Sequence, residues 1–149
     1  MDLIIASNPF LEPNGTDIPV VLLVEDNPIA LFAIEHMVKA TGCCHISAKD
    51  GETAFELART TSFDLIITDL GLPGISGLTL TKKIRAWEVE QGKNPISIIG
   101  LTTEVSNGLL SECLNAGMQD AISKPITITI LQTIFCQFSL SAMSIGCER

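Results

Sequence analysis

Short apolar segments alternate with segments of helical spacing along most of this sequence, and this alternation constrains the fold more than any other feature. The run Val20–Val24 is apolar at every position, which predicts a strand covered on both faces. We expect further strands at residues 44–48, 64–68, 96–101 and 121–123. Because right-handed crossovers place helices on both faces of a parallel sheet, this alternation predicts a helix-covered parallel sheet.

A helical segment follows each predicted strand. Asn27 and Pro28 offer an N-cap and a first-turn proline, and Gly117 is a typical C-cap. The predicted helices cover about residues 28–41, 51–60, 78–90, 105–116 and 127–138. Five strands and five helices fit a doubly wound, flavodoxin-like α/β fold with strand order 2-1-3-4-5. Ligands of such sheets bind at the carboxyl ends of the strands.

Length and charge narrow the class of protein. The chain has 149 residues, which suits one domain. Seventeen Asp and Glu against nine Lys and Arg give a net charge of −8, which argues against a nucleic-acid partner. The uncharged stretch 125–147 is interrupted by Thr, Gln and Ser, so it is unlike a spanning helix. We therefore expect a cytoplasmic domain without direct membrane contact.

The two ends of the chain differ from its centre. Closely spaced turn signals, Asn8-Pro9, Glu12-Pro13 and Asn14-Gly15, predict a leader or linker over residues 1–17. The apolar residues near Met1 are too few for a signal peptide and follow no Lys or Arg. We expect one domain over residues 18–139 and a tail over residues 140–149.

Polar and charged residues stand at the predicted carboxyl ends of four strands. Glu25 and Asp26 follow the first strand, Asp69 follows the third, Thr102 lies at the end of the fourth, and Lys124 follows the fifth. Three carboxylates in one crevice repel each other unless a cation lies among them, and Mg²⁺ prefers such oxygen ligands. No glycine-rich nucleotide-binding motif follows the first strand. The pattern favours metal-assisted phosphoryl transfer.

The sequence resembles the receiver domain of two-component response regulators over about residues 19–139. The segments that carry the resemblance are Val24-Glu25-Asp26-Asn27, Asp69-Leu70-Gly71-Leu72-Pro73, Leu101-Thr102 and Ser123-Lys124-Pro125. Asn115-Ala116-Gly117-Met118 looks most like receivers built into hybrid sensor histidine kinases. The resemblance implies a CheY-like form of the predicted fold and a phosphoacceptor role in a phosphorelay.

The resemblance also implies a magnesium site built around the acceptor. Asp69 would be the phosphoacceptor, attacking the phosphohistidine of a partner. Asp26 and Asp69 would bind Mg²⁺ directly, and the backbone carbonyl of Gly71 would be a third protein ligand. Glu25 would reach the ion through water.

The remaining implied roles concern the phosphoryl group and its source. Thr102 would hydrogen-bond a phosphoryl oxygen, and Lys124 would pair with Asp69 and then with the phosphate. Pro125 would follow Lys124 through a cis peptide bond. The partner would be a histidine kinase or a histidine phosphotransfer domain. A parent hybrid kinase would tether the domain to the inner face of the membrane.

Two positions and one surface depart from the family pattern. Ala121 stands where receivers often carry Phe or Tyr, which predicts a muted aromatic switch. Thr103 is bulkier than the usual residue, and we expect it to hinder water that attacks phosphorylated Asp69. The last helix has a neutral outer side. Receivers commonly form homodimers through the fourth helix, fifth strand and fifth helix, but a plain solvated face explains the neutral side equally well.

Three alternatives stay open at this point. The chain is consistent with a pseudo-receiver that docks without phosphorylation. The intact site residues argue against this alternative: Asp26, Asp69, Thr102 and Lys124. A stand-alone single-domain regulator is the second alternative. The third is a phosphohydrolase with an aspartyl nucleophile, but Gly71 replaces the acid that such enzymes use. The domain itself is expected to catalyse only its own phosphorylation and dephosphorylation.

Overall fold

The computed structural model describes residues 18–138, in which five strands and five helices alternate strictly. The strands are β1 Val20–Val24, β2 Cys44–Ala48, β3 Leu65–Asp69, β4 Ile98–Thr102 and β5 Asp120–Ser123. The helices are α1 Pro28–Ala40, α2 Gly51–Thr60, α3 Gly77–Gln91, α4 Asn107–Ala116 and α5 Ile128–Gln137. The predicted leader and tail lie outside the described residues. No helix among residues 18–138 has the length and apolar character needed to cross a membrane.

All five strands run parallel in one sheet of order β2-β1-β3-β4-β5, which confirms the predicted flavodoxin-like topology. The order reverses between β1 and β3, which are direct neighbours in the sheet. At the carboxyl edge, Asp69 pairs with Leu101 and Thr102 pairs with Ser123. The strand ends are therefore level, and the residues that follow them share one edge.

Helices cover both faces of the sheet. Successive residues of β1 point to opposite faces: Leu23 packs in the layer under α1 and α5, and Leu22 packs under α2, α3 and α4. Both side chains are at most 1% exposed. Helix α5 shows the predicted apolar stripe. Leu131, Ile134 and Phe135 are buried against the sheet, and Ile130 and Phe138 are partly buried beside them. Double coverage explains why these strands are apolar on both sides.

Two predicted boundaries were wrong by about two residues. The fourth strand starts at Ile98, whereas the apolar pattern placed its start at Ile96. The Ile96 amide donates to Glu88 Oε2 at 2.8 Å, and the Ile96 carbonyl accepts from Arg85 Nη2 at 2.7 Å. Side chains of α3 thus use the backbone groups that a longer strand would need. Helix α4 starts at Asn107, whereas the sequence placed its start at about residue 105. Ser106 caps the helix, because its hydroxyl accepts from the Leu109 amide at 3.1 Å and so fixes the first turn.

Candidate metal centre

The carboxyl edge of the sheet brings three acidic side chains together. Glu25 and Asp26 directly follow β1, and Asp69 is the last residue of the neighbouring β3. One carboxylate oxygen of each lies within 4.8 Å of one of each of the others. The strand order explains this proximity, since β1 and β3 are adjacent although more than 40 residues separate them in sequence. The predicted acidic cluster therefore exists.

Burial divides the cluster into a protected part and an open part. Glu25 is 1% exposed and Asp69 is 8% exposed, whereas Asp26 is exposed. Backbone groups hold Glu25 in place: its amide donates to the Ala48 carbonyl at 3.0 Å, and its Oε2 accepts from the Asn27 amide at 3.0 Å. An approaching molecule meets Asp26 first and finds Asp69 just below the surface.

Lys124 supplies the positive charge of the site. Its Nζ lies 2.9 Å from Glu25 Oε1 and 3.6 Å from Asp69 Oδ1. Its backbone amide donates to the Thr102 carbonyl at 2.7 Å, which continues the pairing of β5 with β4 to this residue. Partial burial works to lower the pKa of Lys124, but the contacts with Glu25 and Asp69 outweigh it and raise this pKa above its ordinary value. Lys124 is therefore charged at neutral pH.

The donor set fits a hard divalent cation. Glu25 Oε1 is buried and lacks a well-aligned hydrogen bond; its one contact among the described residues is the ion pair with Lys124. Such an oxygen retains coordinating capacity, since a carboxylate oxygen has more than one lone pair. The three side chains offer only oxygen atoms, which Mg²⁺ prefers over the nitrogen and sulfur atoms that suit zinc. The cluster meets the chemical requirements of a magnesium site.

The backbone after β3 also approaches the cluster. The Gly71 amide lies 3.4 Å from Asp69 Oδ1, which is a long hydrogen bond at the limit of that interaction. No atom lies within 4 Å of the position that a Gly71 Cβ would occupy. The space on the Cβ side of Gly71 is therefore open.

The fourth strand and the segment after the fifth complete the edge. Thr102 is half-buried, and its Oγ1 accepts from the Glu104 amide at 3.3 Å. The peptide bond between Lys124 and Pro125 is cis, as the sequence predicts. The neighbouring Thr103 is exposed. Thr102 and Lys124 thus flank the acidic cluster from the β4 and β5 side.

An apolar cavity of about 280 Å³ lies beside Lys124, between α1 and the ends of β4 and β5. It is lined by Ala30, Ala33, Ile34, Met37, Leu101, Thr103, Lys124, Pro125 and Ile126. On the same helix, α1, Ile29 is 80% exposed and Phe32 is 61% exposed. The charged centre is therefore bordered by an apolar surface.

The sequence-based site residues lie together, and two features of the site were missed. Glu25, Asp26, Asp69 and Lys124 form one cluster. The sequence did not indicate that the Asn27 amide orients Glu25, since Asn27 was recognised only as a helix cap. It also gave no sign of the apolar cavity, which combines residues from α1, β4 and the segment after β5.

Comparison with known proteins identifies relatives for most of the chain. Residues 21–135 match the response regulator receiver domain family. The sensor protein GacS of Pseudomonas syringae pv. syringae is 31% identical over 115 residues, which cover 77% of this chain and 13% of that protein. The virulence sensor protein BvgS of Bordetella pertussis is 35% identical over 114 residues, which cover 75% of this chain and 9% of that protein. The chain thus spans a small part of these relatives.

Solved structures show the same fold. The receiver domain of the sensor histidine kinase PA1611 from Pseudomonas aeruginosa PAO1 is 34% identical, with a TM-score of 0.71 over 85% of this chain and 98% of that chain. That structure has a magnesium ion coordinated in its active-site cleft. A chain in the co-crystal structure of the Saccharomyces cerevisiae histidine phosphotransfer protein Ypd1 with the receiver domain of Ssk1 is 26% identical, with a TM-score of 0.79 over 87% of this chain and 94% of that chain.

Proposed function

This chain belongs to the response regulator receiver domain family, and we propose that its Asp69 accepts a phosphoryl group from a phosphohistidine in a phosphorelay. The observation that carries the proposal is the cluster of Glu25, Asp26 and Asp69 with Lys124 at the switch point of the sheet. A carboxylate of low exposure beside a fixed ammonium and a cation site is suited to in-line attack on phosphorus.

The proposed transfer exchanges one bond to phosphorus for another. A lone pair of an Asp69 carboxylate oxygen forms the new O–P bond. The N–P bond of the phosphohistidine breaks, and its electron pair returns to the imidazole nitrogen of the partner. Asp69 Oδ1 already contacts the Lys124 ammonium at 3.6 Å, and on this proposal Lys124 moves onto the transferred group.

Asp26, Asp69 and the Gly71 carbonyl would hold Mg²⁺, and Glu25 would contribute through water. When bound, this ion would neutralise the negative charge that the carboxylates and the phosphoryl oxygens bring together. The Thr102 hydroxyl is the proposed donor to a phosphoryl oxygen. It now accepts from the Glu104 amide at 3.3 Å and keeps its own proton available for donation.

The surface around the site supports a helical partner that carries the histidine. Ile29 and Phe32 on α1 are exposed, and the apolar cavity beside Lys124 continues that surface to the end of β5. Contact of apolar groups around a charged centre positions the donor and excludes water from it. We assign this surface to a histidine phosphotransfer domain or to the dimerisation helices of a histidine kinase. The Ypd1–Ssk1 complex is a precedent for the first of these partners.

We further propose that the domain acts within, or together with, a hybrid sensor histidine kinase on the cytoplasmic side of a membrane. The support is the similarity to GacS and BvgS, both named as sensor proteins. A homodimer through α4, β5 and α5 is a separate proposal, supported by exposed Leu114 at the α4 surface and exposed Ile128 at the start of α5.

Labelling with a small phosphodonor tests the proposed chemistry. The chain is incubated with acetyl phosphate and MgCl₂, and the covalent adduct is followed by intact-protein mass spectrometry. We expect one adduct in the wild type and none in Asp69→Asn. The matched control is Asp64→Asn, since Asp64 ends the loop before β3 at the opposite edge of the sheet. Absence of an adduct in the folded wild type would support a pseudo-receiver, and rapid multiple turnover would support a phosphohydrolase.

A further inference from the structure

Gly77, the first residue of α3, packs against the backbone of the proposed phosphoacceptor. It is buried, and a Cβ atom at this position would lie 2.5 Å from the Asp69 carbonyl oxygen and 3.0 Å from Leu70 Cα. An ordinary contact of a Cβ atom starts at 3.4 Å, so the shortfall at the Asp69 oxygen is about 0.9 Å. Gly77 does not have a positive φ, and its backbone conformation is open to other residues. Space, and not backbone conformation, therefore requires glycine here.

Hydrogen bonds hold both sides of this contact. The Gly77 amide donates to the Leu70 carbonyl at 3.1 Å, and the buried Thr81 hydroxyl donates to the Gly77 carbonyl at 2.9 Å. On the strand side, the buried Thr68 hydroxyl donates at 3.0 Å to the Asp69 carbonyl, whose oxygen faces Gly77. The Asp69 carbonyl oxygen is thus held between the Thr68 hydroxyl and the first turn of α3.

The packing of the core decides which side of the contact gives way to added bulk. Leu80 and Ile84 of α3 are at most 1% exposed and lie in the core layer under that helix, so they anchor its first turns. The segment after β3 is less confined, since Gly71 is exposed and has open space on its Cβ side. A side chain at Gly77 would therefore displace residues 69–71 more readily than it would displace the helix.

We propose that Gly77 is a positioning residue for phosphoryl transfer to Asp69. Because Gly77 has no side chain, the first turn of α3 lies close enough to fix the Asp69 carbonyl and the backbone that leads to Gly71. The inference rests on the proposed function, in which Asp69 attacks phosphorus and Asp69 and the Gly71 carbonyl hold Mg²⁺. Gly77 would touch neither the substrate nor the metal and would act only through this backbone.

The substitutions Gly77→Ala and Gly108→Ala form a matched pair. Both glycines lie in the first turn of a helix without a positive φ, but no atom lies within 4 Å of a Cβ at Gly108. Displacing a reacting group by about 1 Å can lower a rate by about 100-fold. We expect Gly77→Ala to lower the rate constant of labelling by acetyl phosphate, at saturating MgCl₂ and per folded molecule, by about 10- to 100-fold. Gly108→Ala should label at the wild-type rate.

Two readouts measure positioning without labelling. Isothermal titration with MgCl₂ should show about tenfold weaker Mg²⁺ binding in Gly77→Ala, because two proposed ligand positions are displaced. In the metal-free protein, the largest changes in ¹H–¹⁵N amide shifts outside α3 should be at Leu70 and Gly71. A merely structural role would lower the free energy of unfolding in urea and leave the Mg²⁺ affinity and labelling rate of the folded molecules unchanged, and that result would overturn the proposal.

The failure of this inference is distinguishable from the failure of the proposed function. If the wild type forms no adduct, the proposed function fails, and an unchanged Mg²⁺ affinity in Gly77→Ala would then reject the inference as well. If the wild type forms the adduct and Gly77→Ala forms it equally fast, only the inference fails. Should Gly77→Ala not fold, Thr68→Val removes the hydroxyl that holds the same carbonyl and keeps the side-chain shape. We expect slower labelling in Thr68→Val, and labelling at the wild-type rate would reject the inference.

Discussion

The substitution Asp26→Asn tests whether the three carboxylates repel each other in the metal-free protein. Their nearest oxygens lie within 4.8 Å, and at that separation two unit charges repel by about 0.9 kcal/mol in water and about 3.5 kcal/mol at an effective dielectric constant of 20. Because Asp26 is exposed, its repulsions with Glu25 and Asp69 are near the lower value. We therefore expect Asp26→Asn to raise the free energy of unfolding by about 1–2 kcal/mol in the absence of metal.

Magnesium should reverse the order of stability. Binding to the folded wild type adds RT ln(1 + [Mg²⁺]/Kd), which is about 2.7 kcal/mol at a hundredfold excess over Kd and so exceeds the gain of about 1–2 kcal/mol expected for Asp26→Asn. The Asp26→Asn variant lacks one of the two proposed direct carboxylate ligands and should gain little. Wild type and variant are compared by urea denaturation in EDTA and in MgCl₂, with the exposed Glu112→Gln on α4 as the control for the loss of one negative charge.

Three outcomes would contradict this reasoning. If Asp26→Asn is no more stable than the wild type in EDTA, the three carboxylates do not repel as their separation requires. If Glu112→Gln stabilises the protein as much as Asp26→Asn, the effect comes from the net charge of −8 and not from the cluster. An equal response of Asp26→Asn and the wild type to MgCl₂ would exclude Asp26 as a metal ligand.

Three other predictions concern the acceptor, the sheet and the thiols. Thr103→Ala should speed loss of the phosphoryl group from Asp69, because Thr103 lies beside Lys124 and its bulk is expected to hinder attacking water. Mass spectrometry of the labelled protein over time measures this rate, and slower loss in the variant would contradict the prediction. Crystal structures with and without a phosphate mimic should show little movement of the segment between β4 and α4, because the buried Ala121 has no aromatic ring to move inward. A large rearrangement of that segment would reject a muted aromatic switch. Burial raises the pKa of Cys43 and of Cys113, so in the native protein both should react with iodoacetamide more slowly at neutral pH than the exposed Cys44, as peptide mapping would reveal.

The arrangement of the strands could be predicted because two independent signals in the sequence agree. Apolar runs such as Val20–Val24 indicate strands buried on both faces, and the alternation with helices requires them to be parallel. Once the strand order is fixed, Glu25 and Asp69 must lie at one edge. The acidic cluster was therefore predictable from where these residues stand relative to the ends of their strands.

The boundaries that were wrong depend on contacts that no local pattern contains. The start of β4 is decided by Glu88 and Arg85, which lie about ten residues earlier on α3 and bind the backbone of Ile96. The apolar cavity beside Lys124 is likewise assembled from α1, β4 and the segment after β5, and its apolar lining residues look like ordinary core residues in the sequence.

The charge of the site gives a physical reason for the proposed combination of metal binding with phosphoryl transfer. Three carboxylates and one ammonium leave a formal charge of −2 at the cluster, and partial burial makes this charge costly. A divalent cation matches that charge before transfer. On the proposed function, a phosphoryl group on Asp69 would add negative charge again, and Lys124, which lies 2.9 Å from Glu25 Oε1 and 3.6 Å from Asp69 Oδ1, would be the nearby cation to meet it. Contacts with Glu25 and Asp69 raise the pKa of Lys124, so the cluster has one charged cation of its own at neutral pH, and on the proposed function Mg²⁺ would be the second.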